Sequence, residues 1–149
     1  MAKTGYSDPN RNREFIIHRS GIGHTAPYLV GGIPFLTGSG TITGTDEMKI
    51  EFPFVTKKIT VVNRAAADLR IHFHTGAETG LRVIHDHQYI TLDSKEDSAE
   101  FNVRVKEMFI TPVATSGEWE VFAELTSIQT SEMFTLTGSG ITSDPSRGI

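Results

Sequence analysis

The sequence contains no cysteine. That excludes disulfide scaffolds, cysteine-ligated zinc ribbons, iron–sulfur clusters and thiol catalysis. It also has no surplus of positive charge. Fourteen Lys and Arg stand against eighteen Asp and Glu, a net charge of -4. Nucleic-acid binders usually carry a strong basic patch, so no nucleic-acid partner is expected. No apolar run approaches the ~20 residues of a membrane span, and no membrane partner is expected either. The opening MAKTGYSDPNRNRE has no apolar core, so no secretory signal is expected. The Gly-x-Ser-x-Gly elbow, the P-loop and the dinucleotide fingerprint are all missing. No cofactor is expected, and the chain reads as a non-enzyme.

What is present divides into three parts, at a length that suits one domain. Residues 1–46 read as an extended N-terminal arm, rich in Gly, Pro, Ser, Thr and Asn. Proline and glycine at this density oppose helix and central strand alike. Three apolar knots interrupt the arm: Phe15-Ile16-Ile17, Tyr28-Leu29-Val30 and Ile33-Pro34-Phe35-Leu36. A disordered tail carries few such knots. Phe15, Ile16, Ile17, Tyr28, Leu29 and Val30 are therefore the candidate assembly contacts. Residues 129–149 read as a second polar, Gly-containing tail. Leu36-Thr37-Gly38-Ser39-Gly40 recurs as Leu136-Thr137-Gly138-Ser139-Gly140, one copy on each side of the middle part.

Residues 47–128 alternate with period two. Met48 to Phe54, Leu69 to His74 and Phe101 to Lys106 each place apolar and polar residues in turn. Trp119, Val121, Ala123 and Leu125 share one face, with Glu118, Glu120 and Glu124 on the other. Shorter pieces fall at Ile59 to Val62, Leu81 to Ile84, Tyr89 to Leu92 and Met108 to Thr111. Half-buried alternating strands indicate antiparallel sheets. Seven to nine short strands between turn signals predict an all-β fold, an antiparallel sandwich or jelly-roll-like single domain. Pro53 inside a strand-like run marks an edge or a bulge. Phe52, Phe54, Val61, Ile71, Phe73, Val103, Trp119, Val121 and Leu125 are expected to share one core.

Two His-x-His pairs occur, His72/His74 and His85/His87. In a strand, residues two apart project from one face and can chelate a metal. His72 and His74 with Glu78 resemble the first metal motif of the cupins, which are also jelly rolls. That resemblance implies a metal-dependent enzyme using these three residues. It departs at Ala66 and His85, where the cupin pattern has glycines, and the second cupin motif is absent. Alternation also opposes it. Leu69, Ile71 and Phe73 should face the core, which leaves His72 and His74 facing solvent or an interface. No metal is expected. A carbohydrate-binding sandwich of a tail or adhesin is a further alternative. The single tryptophan, Trp119, falls in phase with core positions instead of forming an exposed platform.

Ile59 to Asn63, Tyr89 to Ser94, Phe101 to Ile110, Ala123 to Thr126 and Met133 to Gly140 together resemble small β-sandwich virion proteins of tailed phages, especially marine ones. The resemblance spans roughly residues 28–142. It implies a capsid decoration or cement protein that assembles in the host cytoplasm and resides in the virion. Its implied partners are copies of itself and another capsid protein. It implies no catalytic residues. The composition points the same way. Ordering two long polar arms costs about 1–2 kcal/mol per residue, which contact with neighbouring subunits offsets.

Overall fold

The computed structural model describes residues 20–43, 47–75, 88–114 and 116–136. Phe15, Ile16, Ile17, Glu78, the Leu81–Ile84 piece, the His85/His87 pair and the second Leu-Thr-Gly-Ser-Gly copy beyond Leu136 lie outside the described residues. The described chain is all-β. One helical turn, α1 (Ala26–Leu29), precedes eight strands. These are β1 (Ile33–Thr43), β2 (Met48–Glu51), β3 (Phe54–Asn63), β4 (Leu69–His72), β5 (Ile90–Leu92), β6 (Ser98–Phe101), β7 (Glu107–Pro112) and β8 (Ser116–Gln129). A short 3-10 turn, Thr130–Glu132, follows.

Two antiparallel sheets of four pack together, in the orders β1-β8-β3-β6 and β2-β7-β4-β5. The first strand pairs with the eighth, the second with the seventh, the third with the sixth and the fourth with the fifth. Nested pairing split alternately between two sheets is the topology of the eight-stranded jelly roll. Every connection except β4–β5 crosses between the sheets. Pro53 stands at one crossing, between β2 and β3, where a missing N–H interrupts no ladder.

The core lies between the sheets. Ile59, Val61, Trp119, Val121, Ala123 and Leu125 from one sheet meet Ile50, Leu69, Ile71, Leu92, Met108 and Ile110 from the other. All nine residues expected to share a core are in this cluster or packed against it. A smaller cluster of Val55, Ile128 and Met133 takes in Ile22 and Tyr28.

Three boundaries differ from the sequence reading. Residues 33–43, placed in the arm, form β1 and pair with β8 from Ile33↔Leu125 to Thr43↔Ser116. Glycine and proline disfavour a central strand, but β1 is an edge, where one side needs no ladder. Residues 102–106, placed in a strand, form an irregular connection. The Thr56 hydroxyl donates to the Val103 carbonyl at 2.8 Å and accepts from the Val105 N–H at 3.1 Å, replacing ladder bonds. Met133, placed in the tail, is buried on the smaller cluster.

Candidate functional site

The arm residues that the structure describes are clamped to their own domain. Tyr28 is half-buried, donates its hydroxyl to the Ile22 carbonyl at 3.2 Å and lies under the Arg104 guanidinium, 5.3 Å from the ring centre. Arg104 also donates to the Ile22 carbonyl at 3.1 Å. Lys57 donates to the Val30 carbonyl at 2.5 Å. Of the six candidate contacts, Tyr28 thus turns inward, while Leu29 and Val30 are 78% and 61% exposed. Arg104 and Lys57 sit far from the arm in sequence, so alternation gave no sign that they hold it.

His72 departs from expectation. Its phase is as predicted, opposite to Leu69 and Ile71, yet it is only 2% exposed. The ring stacks on Phe109 with centroids 5.7 Å apart. Nδ1 meets the His74 carbonyl at 2.7 Å and Nε2 meets the Thr111 hydroxyl at 2.8 Å. Burial is the main cause that holds its pKa below the usual histidine range, so the ring is neutral near pH 7. A neutral ring has one proton to give. The carbonyl can only accept, so Nδ1 carries it and Nε2 accepts from Thr111. Both nitrogens that a metal would need are engaged. His74 is half-buried, and among the described residues no three His, Asp or Glu gather into a ligand set.

The Thr111–His72–carbonyl relay has the distances of a nucleophile, its base and an orienting group. Thr111 is itself buried. The His72–Thr111 bond joins β4 to β7 through their side chains.

A cleft of about 830 Å³ runs along β2 and is walled by Glu47, Lys49, Glu51, Glu107, Phe109 and Thr130. Lys49 Nζ lies 2.7 Å from Glu51 and 2.8 Å from Glu107. Those hydrogen bonds raise the lysine pKa well above its ordinary value. An amine held protonated is neither base nor nucleophile. Glu47 accepts from the Thr75 hydroxyl and stands 3.8 Å from His72 Nε2. The cleft thus holds three carboxylates, Glu47, Glu51 and Glu107, against two amines, Lys49 and Lys106.

Among the described residues, the fold is a jelly-roll sandwich with a clamped arm segment and a long edge strand, β1, that pairs only with β8. No family model, curated protein or solved structure matches the chain.

Proposed function

We propose that the protein is a non-enzymatic structural component of a tailed-phage virion, and that it decorates or cements the capsid through its N-terminal arm. One observation supports this most. Lys57 and Arg104 tie the arm backbone down while Leu29 and Val30 face outward. Tyr28 of this segment packs inward, but among the described residues nothing covers the two large apolar side chains beside it. A partner surface that covers them gains about 1.5–3 kcal/mol per side chain. The sequence resemblance to virion sandwiches adds the identity of the partner, a capsid shell protein.

Co-sedimentation of the full chain with purified capsids of the phage that encodes it tests the reading. The chain pellets to a fixed ratio, and the Leu29→Asp, Val30→Asp double variant binds at least about tenfold more weakly while melting normally. A chain left in the supernatant at all concentrations refutes it.

A further inference from the structure

The four sheet edges differ in how they are protected. β2 has four residues and carries Lys49 and Glu51. β5 has three residues. β6 has four and carries Glu100, which pairs with Lys58 at 2.8 Å. Short length and charge are the usual devices that stop an edge from pairing with another chain. β1 has neither: it is eleven residues long and holds no charged residue. Its run from Ile33 to Ser39 is regular, and the register shifts only beyond Ser39. Pro34 lacks a donor, so Phe35 to Ser39 is the usable edge.

The outer face of that edge has a shape. Leu36 is 76% exposed. Two residues on, Gly38 presents no side chain, and a Cβ there would crowd the Trp119 carbonyl oxygen at 2.9 Å. Beside it lies a depression of about 350 Å³, walled by Leu36, Gly38, Thr60, Val62, Phe122 and the charged Glu120.

We infer that β1 pairs antiparallel with β1 of a second copy, about a two-fold axis at Thr37. In that register Leu36 stands opposite Gly38 of the partner copy, and Phe35 opposite Ser39. Each exposed leucine then lies over the other copy's glycine, against the apolar wall of Phe122 and Val62. The edge is complementary to itself in size, large against small, which is what an isologous contact requires. Charge does not oppose it. The carboxylates nearest the edge, Glu120 and Glu124, are already engaged by Arg64 at 3.2 Å and Lys57 at 3.6 Å. The two four-stranded sheets become one continuous sheet of eight.

Sedimentation and register-specific crosslinking of the full chain test this, and the lack of native cysteine makes the crosslink unambiguous. Directly opposed residues have Cβ atoms about 4.5–5.5 Å apart, near the reach of a disulfide. The wild type sediments as a dimer in the micromolar range. Mild oxidation of Thr37→Cys gives a covalent dimer, whereas Pro34→Cys, far from its own copy in this register, stays monomeric on denaturing gels. Leu36→Glu melts as the wild type and dissociates at least about tenfold more readily. A wild type that is monomeric throughout, or equal crosslinking at positions 34 and 37, overturns the pairing. So does a dimer lost on Ile16→Asp with no crosslink at position 37, because the arm is then the occupant. A chain that dimerises through β1 but ignores capsids keeps this pairing and loses the function proposed above. Capsid binding by a monomer does the reverse.

Discussion

The Asn63 side chain donates to the Asp93 carbonyl at 2.8 Å, joining the two turns that carry the chain between the sheets. The same amide reaches the Ala67 carbonyl at 2.9 Å, and its oxygen accepts from the Ala65 N–H at 2.8 Å. The Asn63 backbone completes the joint, donating to the Asp97 carbonyl and accepting from the Glu96 N–H. Asn63 is fully buried. Asn63→Leu keeps the backbone bonds but takes the side-chain partner from the Asp93 and Ala67 carbonyls and the Ala65 N–H, and should cost about 2–5 kcal/mol, measured by urea unfolding.

Thr56 performs a similar task at the 102–106 connection. Thr56→Val keeps the shape but removes the hydroxyl that accepts from the Val105 N–H and donates to the Val103 carbonyl. A loss of about 1–3 kcal/mol is expected, with faster hydrogen exchange at the Val105 amide.

The turn between β5 and β6 works against its own residues. Lys95 and Glu96 both have positive φ, 63° and 69°. Two central residues of that kind match a type I′ turn, which favours Asn-Gly. The pair Lys95→Asn, Glu96→Gly should raise stability by about 1 kcal/mol. The change breaks the exposed Arg64–Glu96 pair, which contributes little. Thermal melting measures the gain.

His72 makes stability depend on pH. Its folded pKa is lowered from 6.5, chiefly by burial. The unfolded chain therefore takes up the proton first. Stability from this group is full above about pH 6.5, falls as pH drops below it and levels off beneath the folded pKa. Glu47, 3.8 Å away, moderates the fall by favouring the charged ring. Unfolding of His72→Gln followed from pH 8 to about pH 4 should lack this component, though its stability at neutral pH is lower.

Alternation made much of this fold legible, because a strand's two faces repeat every second residue. Trp119, Val121 and Leu125 could be placed in the core on that ground alone. The same reasoning failed where the environment decides. β1 looked like an arm because Pro34, Gly38 and Gly40 are poor strand formers, and only β8 alongside makes it a strand. The phase of His72 was readable, but its burial was not, since alternation says which face a residue takes and nothing of what covers that face. The run Phe101 to Lys106 alternates past the point where its ladder stops, because a threonine hydroxyl distant in sequence takes over the backbone groups. The arm clamp was hidden for the same reason: Lys57 and Arg104 act on residues they meet only after folding.

Nested pairing has a consequence in time. β1 and β3 both lean on β8, the last of the described strands to be made. At about 5–20 residues per second, the ribosome needs roughly 4–17 s to travel from Thr43 to Gln129. For that interval, the uncharged β1 lacks the one described strand it pairs with. Slower synthesis lengthens the wait, so the yield of soluble protein should depend on how fast the chain's last third is translated.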